Sequence, residues 1–124
     1  MSSGIPINPS FEAKEVLLAR ITFPEQEEKL RPILVISKFS SRAFIPSSSI
    51  LVCLAITSNR NTDPFMIPIS NTDMEVKPLP IPSHVVCNHF FTILKTDVIK
   101  RIGKVKPDFY DKVTQFVRSN VLDI

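Results

Sequence analysis

The chain has 124 residues, 44% of them hydrophobic, with a mean hydropathy of +0.14, a net charge of +3 and a pI near 9.0. This is one ordinary domain with enough apolar material for a packed core, which excludes a disordered chain. The apolar runs are short and broken by proline or charge, which excludes a membrane-spanning helix.

Residues 1–12, "MSSGIPINPSFE", have neither a basic start nor an apolar run, so no signal peptide is expected and a cytoplasmic protein is. They read as a tail, with one domain expected over residues 13–124. "EVLLARITF" from Glu15 mixes alternation with an apolar centre, as a strand does. "PEQEEKL" is a charged loop. "PILVIS" is a β-branched run that predicts a central strand opened by Pro32, with Arg31 at its mouth. "KFSSRAFIPSSS" reads as a Ser-rich loop, "ILVCLAI" as a buried strand, and "TSNRNTDP" as a turn. "FMIPIS" alternates, and Pro68 places it at a sheet edge because proline cannot donate to a ladder.

The stretch "NTDMEVKPLPIPS" carries Pro78, Pro80 and Pro82 and reads as an extended loop. "HVVCNHFFTIL" is one bent strand or two. In "TDVIKRI", Thr96 is a good N-cap for about two helical turns, and "IGKV" can add a short strand. Pro107 and Asp108 suit a helix start, and Phe109, Val113, Phe116, Val117 and Val121 recur at helical spacing. Five or six short strands, a short helix and a C-terminal helix predict an α+β, mainly β fold, a small barrel with a helix packed on it.

Cys53 and Cys87 lie inside apolar runs and read as core thiols. There is no CxxC, HExxH or His-rich cluster, so neither a metal nor another cofactor is expected. Two glycines cannot build a dinucleotide or Walker loop. The run from Lys95 to Lys106 holds Lys95, Lys100, Arg101, Lys104 and Lys106 against Asp97 alone. It is a solvated face or a phosphate-facing rim.

Arg31-Pro32 before an apolar strand, followed by "VCLAITSN", resembles the MazF/PemK family of toxin endoribonucleases. "EVLLARITF", "EQEEKLRPILVIS", "LPIPSHVVCNHFFTILKTDVIKRIGKV" and "FYDKVTQFVRSNVL" follow in the family's order, from about residue 13 to 122. The resemblance implies an SH3-like barrel of the CcdB/MazF type and a homodimer. It also implies metal-independent cleavage of single-stranded RNA, and a cognate antitoxin whose tail lies across the substrate groove. A non-catalytic barrel that binds a protein, as gyrase poisons do, or nucleic acid is the alternative. Three departures stand out: Ala13-Lys14 where the family usually has Gly-Asp, a Ser-rich loop from Phe39 to Ser49 that matches no family motif, and Asn88-His89 where many members have Asp-Gln.

Cleavage by a substrate 2′-hydroxyl needs a base, an acid and a cation for the phosphorane. Arg31 fits the cation, since a guanidinium stays charged and grips two phosphate oxygens. Its other reading is a surface arginine pairing with Glu27 or Glu28. Thr57 and Ser58 can hydrogen-bond the scissile phosphate, or simply cap a turn. His89 is the candidate acid–base group in preference to His84, because it lies where the family places a groove-facing glutamine. In a regular strand the two histidines face opposite sides, unless a bulge intervenes. Glu25, Gln26, Asn59, Arg60 and Asn88 are candidate substrate-binding residues. Phe65, Phe90 and Phe91 can stack on bases but are surrounded by apolar neighbours, which favours the core.

Overall fold

A computed structural model of the chain describes residues 11–22, 28–40, 49–58, 63–79 and 81–122. Seven strands form one antiparallel sheet. They are β1 (Glu15–Thr22), β2 (Glu28–Ser40), β3 (Ser49–Thr57), β4 (Met66–Ile69), β5 (Met74–Val76), β6 (Ser83–Leu94) and β7 (Val98–Val105). Their order is β4-β6-β3-β2-β1-β7-β5, and the sheet curls into a half-barrel. The helix α1 (Pro107–Phe116) follows and widens into one π-helical turn at Val117–Val121.

Strand alternation sends apolar side chains to both faces. Val16, Leu34, Leu54, Ile56, Val85 and Val105 fill the concave core, which α1 closes with Phe109, Val113 and Val117. At ten residues α1 is shorter than the ~12–15 at which an isolated helix holds in water. Its buried Phe109 and Val113, and Val117 in the turn that follows, each contribute roughly 1.5–3 kcal/mol, so packing holds it rather than propensity. The Tyr110 hydroxyl donates to the Ile36 carbonyl at 2.6 Å and ties α1 to β2. A second cluster on the other face joins Leu17, Ala19, Ile33, Val35, Leu51 and Cys53 to the buried Phe11.

Lys14 takes a left-handed backbone, φ 79. This kink lets its N–H donate to the Val35 carbonyl while its carbonyl accepts from the Val105 N–H, both at 2.9 Å. One residue therefore joins the entry of β1 to β2 and to the end of β7.

Three sequence expectations need correcting. The helix expected at Thr96 is a single 3₁₀ turn, Lys95–Asp97, closed by Leu94 N–H donating to the Asp97 carboxylate at 3.0 Å. The chain then enters β7, because Val98, Ile99 and Ile102 are β-branched and both β1 and β5 are there to pair with it. Second, the proline-rich stretch contains β5, an edge strand invisible to a reading that weighed its prolines. Third, β2 starts three residues before Arg31, so the arginine is inside a strand rather than at its mouth. Pairing with β3 begins only at Ile33, so Pro32 sits where β2 has β1 alone for a neighbour and a missing N–H is tolerated. The edge position of Pro68 holds: β4 ends the sheet.

Cys53 and Cys87 are free and fully buried, and burial pushes their thiols up to about 12 and about 11. Both values exceed the unfolded value of 9.0, so their contribution is complete below pH 9 and is lost as pH rises toward 11–12. Between pH 9 and 10 the chain is expected to lose about 2 kcal/mol more stability than a Cys53→Ala/Cys87→Ala variant. Urea titrations at the two pH values check this; parallel losses would contradict it.

Candidate functional site

The site grows out of two registers. In the first, Ile33 pairs with Ala55 and Leu34 with Leu54 across β2 and β3. The β2–β3 pairing stops at that rung; Arg31 lies two residues beyond it on β2 and Thr57 two residues beyond it on β3, each on the face of Ile33 and Ala55. The next strand continues the row, for Thr57 pairs with His84 on β6.

The second register is broken. Ala55 pairs with Val86, but the next β3 residue, Leu54, pairs with Phe90. Three residues of β6, Cys87, Asn88 and His89, therefore fall between consecutive partners, an irregular bulge larger than the usual single extra residue. Its first residue is pinned by the Cys87 N–H donating to the Phe65 carbonyl at 2.9 Å, and the Cys87 side chain goes into the core. Asn88 and His89 are thrown outward and exposed. The His89 ring rests against Phe91, centroids 4.5 Å apart and tilted by 34°.

Arg31, Thr57, Ser58 and His89 line one open groove of about 1210 Å³. Its walls are apolar, with Leu18, Pro32, Ile56, Leu79, Ile81 and Ile102 among them. Its charged residues are Arg31, Lys77, Lys100 and Arg101, and no carboxylate lines it among the described residues. Arg101 is held: its Nε lies 2.6 Å from Glu15 Oε1, and its guanidinium lies 4.5 Å from the centroid of the Phe11 ring. Glu28, one alternative partner of Arg31, is bridged instead to Arg20 at 2.8 Å. Glu27 lies outside the described residues. The arrangement is suited to an extended polyanion with apolar groups.

The sequence matches the PemK-like, MazF-like toxins of type II toxin–antitoxin systems over residues 12–121. The chain belongs to this toxin family. The fold agrees with solved MazF structures. The Deinococcus radiodurans MazF superposes with a TM-score of 0.65 at 15% identity, covering 94% of this chain and 100% of that one. The Mycobacterium tuberculosis toxin MazF-mt6 gives 0.62 at 19% identity, covering 89% and 97%. A mycobacterial endoribonuclease in complex with its cognate antitoxin gives 0.63 at 17%, covering 89% and 93%. No curated protein sequence matches significantly.

Within this MazF-like frame, four of the residues singled out in the sequence meet in the groove: Arg31, Thr57, Ser58 and His89. Thr57 ends β3 and Ser58 follows it. Asn88, at the outer turn of the bulge, does not line the groove. Glu25, Gln26, Asn59 and Arg60 lie outside the described residues. His84 is half-buried between Thr57 and Pro68, and its Nδ1 is buried with no hydrogen-bond partner among the described residues. Phe90 packs against the main core and Phe91 against the second cluster.

Of the expected basic rim, only Lys100 and Arg101 reach the groove; Lys95 sits in the 3₁₀ turn and Lys106 caps α1. Lys77 was missed. The one signal it left is its place before Pro78, where the backbone is restricted. No described group of His, Cys, Asp and Glu is arranged to hold a metal ion, and no described helix is long and apolar enough to cross a membrane.

Proposed function

We propose that this MazF-like toxin is a metal-independent, sequence-specific endoribonuclease. One toxin domain, residues 13–124, acts as a homodimer on single-stranded RNA and is restrained by a cognate antitoxin in the cytoplasm. The observation that carries the reading is the meeting of Arg31, Thr57, Ser58 and His89 in one groove free of described carboxylates.

The substrate's own 2′-hydroxyl attacks the adjacent phosphorus. The O2′–P bond forms, the P–O5′ bond breaks, and the ends are a 2′,3′-cyclic phosphate and a 5′-hydroxyl. Arg31 places its fork on the non-bridging oxygens as charge builds in the phosphorane. Thr57, which lines the same groove as Arg31, and Ser58 beside it hydrogen-bond the same phosphate and fix it for in-line attack. His89 exchanges the proton, because an imidazole ring can both accept and donate one. Phe91 holds its ring from below. Glu25, Gln26, Asn59 and Arg60 extend the contact to flanking nucleotides.

The test is incubation of the purified protein with a mixed pool of single-stranded RNA in EDTA, with the new ends mapped. Cuts at one short sequence bearing cyclic phosphate ends are expected. A folded, antitoxin-free protein that cuts nothing would overturn the reading in favour of a binding-only toxin.

A further inference from the structure

The groove holds two cations that the cleavage chemistry leaves unused. Lys100 on β7 stands opposite Leu18, which stands opposite Pro32. By strand alternation Lys100 therefore leaves the sheet on the side of Pro32, and Arg31 leaves on the other. Lys77 reaches the same groove from the connection after β5. Its backbone is left-handed, φ 60, and it precedes a proline, two conditions that an ordinary residue avoids. The conformation is imposed by packing. β5 crosses β7 so closely at Gly103 that an added Cβ there would lie 2.3 Å from the Val76 carbonyl oxygen and 3.1 Å from that of Lys77. The root of Lys77 is thus fixed on both sides, by Gly103 below and Pro78 after it, while the residue is exposed and lines the groove. Leu18, Leu79 and Ile102 line the same groove as the two lysines and Arg31.

From this geometry we infer that Lys77 and Lys100 form a second phosphate-binding site, which holds the RNA backbone beyond the scissile phosphate while the intervening bases lie on the apolar floor. The inference rests on the RNA-cleaving reading and adds to it the path of the strand across the groove. A cation on a fixed root loses little freedom when it meets a phosphate, so the site supplies affinity and register rather than chemistry. Sequence is not read there, since a phosphate is the same under every base.

The experiment uses the full chain and a fluorescent single-stranded oligonucleotide of mixed sequence with 2′-deoxy sugars, which cannot be cut. Its binding is followed by anisotropy across a salt series. Lys77→Gln and Lys100→Gln are each expected to weaken binding several-fold and to reduce the slope of log K against log salt by about 0.7, and the pair by about 1.4. Lys77→Arg should restore the slope, and Lys112→Gln on the exposed side of α1 should leave it unchanged. On cleavable RNA the loss should fall on KM more than on kcat. Unaltered melting temperatures would exclude misfolding as the cause. An unchanged slope in the double variant, beside wild-type cutting that depends on Arg31, overturns this inference alone. A wild-type protein that neither binds nor cuts overturns the RNA reading and this site together. A double variant that binds the oligonucleotide normally but no longer binds a polyglutamate peptide would assign the lysines to an acidic protein partner and overturn the inference as well.

Discussion

Arg31→Ala is expected to lower kcat/KM for RNA by roughly 10³-fold while leaving the melting temperature within about 2 °C of wild type. The two halves have separate causes. The side chain is exposed and lies on a part of β2 paired only with β1, opposite Ala19, so its removal opens no cavity and orphans no buried partner. Its loss removes the cation at the point where two negative charges build on one phosphorus, and the groove's other guanidinium, Arg101, is engaged by Glu15 and the Phe11 ring. A lysine in its place would keep the charge without the fork. Arg31→Lys is therefore expected to recover only part of the rate, about tenfold over alanine, because an ammonium cannot grip two oxygens in plane. Single-turnover cleavage with saturating protein separates this from binding. Cleavage at near wild-type rate by folded Arg31→Ala would remove Arg31 from the mechanism and leave Thr57 and His89 without a centre to serve.

What could be read in advance followed the physical origin of each feature. Burial leaves a mark in the sequence. The apolar cores of β1 and β3, the edge proline of β4 and the Phe109–Val113–Val117 stripe of α1 were all legible because each depends on local composition and period. Pairing leaves almost none. "VIKRI" has the caps and charges of a short helix, yet it becomes β7 because two strands distant in sequence flank it. β5 is legible only from Gly103, some thirty residues away, whose missing side chain makes room for it.

The candidate site divides the same way. Arg31 and Thr57 were found through a resemblance to known motifs, and the fold then brings both to one groove. His89 depended on a bulge that no pattern in "VVCNHFF" announces. A regular strand there would have put His84 and His89 on opposite faces, and three unpaired residues change which of them meets the groove. Lys77 belongs to the groove solely because of the close approach of β5 to β7.

That approach makes Gly103 a demanding position in the fold. Gly103→Ala is expected to destabilise the chain by about 2–3 kcal/mol, a fall in melting temperature of roughly 10 °C. A Cβ at this position would meet the Val76 carbonyl oxygen at 2.3 Å and the Met74 Cε at 2.8 Å. The methionine tip can swing aside, but the carbonyl belongs to β5, whose pairing with β7 through Met74–Val105 and Val76–Lys104 holds it in place. The cost is therefore in the backbone, and Met74→Ala added to Gly103→Ala is expected to give no rescue. Relief requires β5 to lift away from β7, which would also carry Lys77 out of the groove wall. Salt-dependent oligonucleotide binding should then weaken in Gly103→Ala at temperatures well below its melting point, with a slope close to that of Lys77→Gln. Thermal unfolding followed by circular dichroism reads the first effect and anisotropy the second. A Gly103→Ala protein melting within about 2 °C of wild type would mean that β5 does not press closely on β7, and with that the fixed root of Lys77 would be lost.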